Sequence, residues 1–160
     1  MAERKGLSAS LEDYLEATFI GVQESGVARV RDIAKRVGVS MPSVNTALKR
    51  LAEQGLVTHE PYEFVQLTEQ GLEAAGRIHR RHEILRRFLA DVLGVPSAIA
   101  EEDACRMEHG LHRTTVTQLR RFLEYVDVHS GDELAPCVRA LRWASEGAAS
   151  PALGEGEPDA

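Results

Sequence analysis

The stretch that decides the fold is VRDIAKRVGVSMPSVNTALKRL, Val30 to Leu51. Its apolar residues form two helical sets on either side of Gly38. Val30, Ile33, Ala34 and Val37 recur every three or four positions, so they share one face of a helix over about 30–37. Gly38 suits the left-handed residue that ends such a helix, and Val39 is expected to plug the turn into the core. Ser40 then caps a third helix, Met41 to Gln54, with Pro42 in the first turn, where its missing N–H costs nothing. The inward face of that helix is Val44, Ala47, Leu48 and Leu51, and Ala34 is small enough to let the two helices cross closely. Helix, glycine turn, helix is the reading head of a helix-turn-helix domain.

The flanks agree with that reading. Upstream, residues 9–24 carry Leu11, Leu15, Thr18, Phe19 and Val22 at helical spacing; Ser8 or Ser10 is available as a cap and Gly26 as a stop. Downstream of Gly55, Leu56–Thr58 and Phe64–Thr68 are short β-rich runs around a turn at His59–Glu63 that contains Pro61. This hairpin supplies the wing. A long linking helix is expected from about 69 to 93, ended by Gly94-Val95-Pro96, with further helices over 97–110, 114–128 and about 133–146. The tail 146–160, rich in Gly, Ala, Pro and acid, is expected to be disordered. The fold class is mainly α: a winged helix-turn-helix domain over 1–72, then an all-helical domain over 73–145.

The third helix exposes residues suited to DNA. Ser40, Pro42, Ser43, Asn45 and Thr46 lie at its N-terminal end, where hydroxyls and amides reach phosphates and base edges; Lys49 and Arg50 suit phosphates. Arg29 and Lys35 extend the surface. Between Arg29 and Thr58 there are six basic residues against two acidic ones. The whole 160-residue chain, by contrast, has a formal charge of -6. Bulk charge therefore argues against coating of nucleic acid, while the local surface argues for a specific site. No apolar stretch approaches the roughly 18 residues of a membrane span, and the N-terminus lacks the apolar core of a signal peptide. Two cysteines, Cys105 and Cys137, are too few for a disulfide framework. A cytoplasmic location is expected.

The second half carries a different chemistry. In DACRMEHG, Cys105, Glu108 and His109 stand at i, i+3 and i+4, so on a helix thiolate, carboxylate and imidazole project from one face. That is half a transition-metal site, which needs partners from elsewhere. Asp13 and Glu16 on the first helix and His82 on the linking helix are candidates. Each also has an ordinary reading: a solvated ion pair for Glu108–His109, packing for Cys105, and a favourable helix N-terminus for Asp13 and Glu16. His79 falls off the expected ligand face and reads as solvated beside Arg80 and Arg81. His112 is expected near the end of the ligand helix. His59 sits in the wing turn, and Cys137 reads as packing.

Along residues 8 to about 127 the chain resembles the DtxR/MntR family of metal-dependent transcriptional repressors. SLEDYLEATF, the Val30–Leu51 segment, LTEQGLEAAGRIHRRHEILRRFL and EEDACRMEHGL carry the resemblance. It implies metal ligands Asp13, Glu16, His82, Cys105, Glu108 and His109. It also implies a homodimer on a palindromic double-stranded operator, repression of metal-homeostasis genes, and no enzymatic activity. The pattern is a hybrid. Asp13 and Glu16 resemble the manganese-sensing branch and Cys105 the iron-sensing branch. Arg86 and Glu101 replace two ancillary ligands of the iron branch, so no iron-type ancillary site is expected. The chain leaves no room for the SH3-like third domain of longer members. Because a thiolate favours softer ions, Fe(II) is expected over Mn(II), with Zn, Co or Ni binding in vitro. A regulator answering an organic ligand or oxidant through Cys105 is the alternative; a metal hydrolase would leave the basic recognition helix unexplained.

Overall fold

The structure, a computed structural model, describes residues 7–58 and 64–129. It divides between Arg81 and His82 into two compact units. The wing turn with His59, the helix expected over 133–146, Cys137 and the tail lie outside the described residues.

The first unit holds α1 (Ala9–Ser25), α2 (Val30–Val37), α3 (Met41–Glu53), the strands β1 (Val57–Thr58) and β2 (Gln66–Leu67), and the start of α4 (Glu69–Arg87). The helix ends follow the sequence signals. Gly26 and Gly38 close α1 and α2 with φ of +75°, and the Ser40 side chain accepts from the Ser43 N–H to open α3. The strands are antiparallel, with Val57 opposite Leu67 and Thr58 opposite Gln66; a bridge from Val65 to Ala28 ties the wing to the segment before α2. Leu15, Ile33, Val44, Leu48 and Leu51 are essentially fully buried, each worth about 1.5–3 kcal/mol of apolar transfer.

One expected core residue is not in that core. Val39 is 36% exposed. The N–H groups of Gly38 and Val39 both donate to the Ala34 carbonyl, so the turn uses the valine's backbone to finish α2 and leaves its side chain outside.

The wing is bonded to the N-terminus of α4 through Thr68. Its hydroxyl donates to the Gly55 carbonyl at 2.6 Å and accepts from the Gly71 N–H at 3.0 Å, while its own N–H donates to Leu56. The winged helix-turn-helix followed by a helical region, expected from the pattern, is the architecture found.

The second unit holds the end of α4, α5 (Ser97–Met107) and α6 (Arg113–His129). The linking helix is not α-helical to Leu93. It ends as α-helix at Arg87 and continues as a π-helical stretch, Phe88–Val92, with the Leu93 N–H donating five residues back to Phe88. Leu89 and Val92 are both buried in this stretch, and Gly94 at φ +71° stops it. Leu85, Leu89, Ala100 and Ala104 form this unit's own core, with Leu111 and Leu119 packed against it. Among the described residues no helix is long and apolar enough to cross a membrane.

Candidate metal centre and DNA-facing helix

In the first unit, α1 buries Leu11, Tyr14, Leu15 and Thr18, and with them the carboxylate of Glu16. The His79 Nδ1–H donates to Glu16 Oε1 at 3.1 Å, and the His79 ring lies against Phe19 with centroids 5.4 Å apart. One turn earlier, Glu12 accepts from the Arg81 guanidinium at 2.5 Å. Asp13 is half-buried on the same helix. The expectation of a solvated His79 is therefore corrected: its place on α4 faces the acids of α1, and Arg80 takes the solvated face.

In the second unit the decisive residue is Glu108. Ala100, Ala104 and Glu108 stand at i, i+4 and i+8, and all three are fully buried. Glu108 thus continues an alanine stripe, in a last turn held by its N–H donating to Ala104. Neither carboxylate oxygen makes a hydrogen bond among the described residues. They face His82 Nδ1 at 3.2 Å and His109 Nε2 at 3.4 Å instead. His82 is itself buried, and its Nε2 lies 3.2 Å from Glu101 Oε1. Burying an ionised carboxylate without hydrogen bonds costs several kcal/mol. A divalent cation offsets that cost, and carboxylate with imidazole is a donor set such ions accept. These residues fit a metal.

The structure brings His82, Glu108 and His109 together. Cys105 is exposed, while the buried stripe of α5 passes through Ala100, Ala104 and Glu108. Glu101, which the resemblance places at an ancillary position without a role, has its carboxylate beside His82 Nε2. The signal was available: Glu101 precedes Glu108 by seven residues, two turns along one face.

Arg86, which stands in place of an ancillary acid, is bound by Glu83 through two hydrogen bonds of 3.1 and 2.8 Å; this holds its guanidinium pKa above the ordinary value. His112 is not part of the ligand helix. Its ring accepts from the Thr114 N–H at 3.3 Å and so caps α6. His129 stacks on Tyr125 at the other end of that helix.

The DNA-facing candidates Arg29, Lys35, Ser40, Pro42, Ser43, Asn45, Thr46, Lys49 and Arg50 are all exposed. Part of the basic surface is already paired: Arg36 with Glu24 at 2.5 Å, Arg31 with Asp32 at 3.3 Å, and Arg29 lies over the Phe64 ring at 5.0 Å. Thr46 donates its hydroxyl proton to the Pro42 carbonyl, leaving oxygen lone pairs outward.

A basic recognition helix with a wing, followed by a helical domain with a buried carboxylate–imidazole cluster, defines a metal-dependent DNA-binding transcriptional regulator. The chain belongs to the DtxR/MntR family of iron-dependent repressors: residues 6–65 match the family's N-terminal DNA-binding domain, and residues 68–134 its metal-binding and dimerisation domain. It is 41% identical over 114 residues to the transcriptional regulator MntR of Escherichia coli, covering 71% of this chain and 73% of that one. It is 34% identical over 119 residues to an HTH-type transcriptional regulator of Methanocaldococcus jannaschii, covering 74% and 95%. Among solved structures it is similar to a manganese-dependent transcriptional repressor in complex with manganese, at 31% identity and a TM-score of 0.65. That match covers 72% of this chain and 53% of the solved one, so the chain spans about half the length of that structure.

Proposed function

We propose that this protein is a repressor whose operator affinity is set by a divalent metal, with residues 1–72 reading DNA and 73–145 binding metal and dimerising. Asp13 and Glu16 supply carboxylate ligands from the first unit; His82, Cys105, Glu108 and His109 supply ligands from the second. The buried carboxylate of Glu108, facing two imidazoles in the family's metal-binding domain, carries this reading. When bound, the ion supplies positive charge to acids of both units at once. The residues do the rest: neutralised acids on α1 no longer repel those of the second unit, and the DNA-reading unit loses freedom relative to the dimer axis. Two recognition helices are then set for successive major grooves of a palindromic operator.

The expectation of Fe(II) over Mn(II) rests on thiolate ligation. With Cys105 exposed, the buried donors are carboxylate and imidazole, which suit Mn(II) as well as Fe(II). The test is a duplex selected from random DNA, titrated with chelated protein and again with Fe(II), under anaerobic conditions, or Mn(II). Metal is expected to tighten binding about 5–150-fold, the usual range of coupling between two sites. Equal affinity with and without chelator would end the proposal.

Lys49 is assigned a phosphate contact. Lys49→Ala is expected to weaken binding to all duplexes alike and to lower the slope of log affinity against log salt by about one. A loss confined to one base position would instead make Lys49 a base-reading residue.

A further inference from the structure

We propose that His79 is a positioning residue for Glu16, holding that carboxylate in the orientation the metal centre requires; the inference rests on the metal-centre reading above. His79 was no ligand candidate in the sequence. In the first unit it donates Nδ1–H to Glu16 Oε1 at 3.1 Å, and Glu16 is 8% exposed. A carboxylate that deep requires a fixed donor, and a bond to one oxygen sets the plane of the group and the direction of its remaining lone pairs. The donor is itself held. The Phe19 ring packs on the imidazole, with planes 47° apart, and three residues back on α1 Phe19 gives way to Glu16, so the two contacts share one helical neighbourhood. The Arg81–Glu12 ion pair, with both side chains about three-quarters or more buried, fixes the same stretch of α4 against α1 one turn away. The backbone thus presents Glu16 and His79 to each other in one register, and the imidazole is preorganised rather than recruited.

Outer partners of metal ligands usually change affinity about 10–100-fold when removed. The experiment uses Co(II) as the probe, read by its visible absorption during titration of the full-length protein. His79→Phe keeps an aromatic ring against Phe19 but has no N–H donor. His79→Asn places an amide N–H where Nδ1 stood. The expected result is about a tenfold rise in the Co(II) dissociation constant for His79→Phe with an altered absorption band, and recovery to within about threefold for His79→Asn. The double variant Glu16→Gln/His79→Phe is expected to bind no more weakly than Glu16→Gln alone, because His79 acts through Glu16. Circular dichroism of the metal-free variants reports folding.

Wild-type affinity in His79→Phe, or equal loss in His79→Phe and His79→Asn, overturns the positioning role. Glu108→Gln is the control for the centre itself. If that variant binds Co(II) as wild type does, the metal-centre reading falls and this inference with it; if it does not, a neutral His79→Phe removes His79 alone.

Discussion

Glu108→Gln is expected to abolish metal activation while leaving the metal-free protein folded. The side chain is fully buried, and its oxygens make no hydrogen bond among the described residues. In the metal-free state the amide keeps the volume of the side chain, so no cavity is opened; it removes a buried charge and, with it, the attraction to the His82 and His109 imidazoles. A ligand present at one hundred times its dissociation constant adds about 2.7 kcal/mol to the stability of the folded state, and the glutamine variant loses that gain with the charge. Thermal unfolding with and without Mn(II) measures both effects. The wild-type midpoint should rise with Mn(II) and the variant's should not, and the variant should bind operator equally with and without metal. A variant that keeps the full metal-induced shift would show that Glu108 is not a ligand.

The helices of the DNA-reading unit were legible because the ends of α1 and α2 and the start of α3 carry their own signals. Gly26 and Gly38 take the left-handed conformation that only glycine adopts without strain, and Ser40 bonds back onto the first turn of α3. Val39 was misplaced because apolar character alone does not say which side of a turn a side chain takes; two N–H groups sharing the Ala34 carbonyl decide it. The π-helical stretch was hidden for a related reason. Leu85, Leu89 and Val92 are spaced four and three apart, a pattern that an α-helix and a π-widened one both satisfy.

The site was legible in its residue types and less so in its faces. Treating 97–110 as one helix put Cys105, Glu108 and His109 on a single face. Glu108, the residue that caps α5, keeps helical backbone, and the three differ in burial: Glu108 falls on the alanine stripe, His109 is half-buried and Cys105 is exposed. A glutamate four residues beyond Ala104 and eight beyond Ala100 was the available sign of a buried acid. The role of His79 depends on which face of α4 meets α1, a tertiary fact that no periodicity within α4 contains.

Gly71→Ala is expected to destabilise the first unit severely, against the trend that alanine is the better helix former by about 1 kcal/mol. Gly71 lies in the first turn of α4, where a Cβ would stand 1.8 Å from the Leu56 carbonyl oxygen and 2.8 Å from its carbon. That carbonyl is not free to retreat. It accepts from the Thr68 N–H at 3.1 Å, the Leu56 N–H donates to Leu51 at 3.0 Å, and Thr68 holds both Gly55 and Gly71 through its hydroxyl. Relief of the overlap therefore separates the wing from α4 and breaks this set of bonds. Overpacking against side chains costs about 1–3 kcal/mol, and here the obstacle is bonded backbone, so a loss above about 3 kcal/mol is expected. For a chain of this size that lowers the unfolding midpoint by about 6–12 °C. Gly76 on the same helix provides the contrast. Among the described residues a Cβ there meets only the flexible Arg80 guanidinium at 3.4 Å, so Gly76→Ala should gain about 0.4–1 kcal/mol by restricting the unfolded chain. Thermal denaturation of the two variants side by side should move their midpoints in opposite directions. A Gly71→Ala midpoint at or above wild type would mean that the wing does not pack on α4 through this contact.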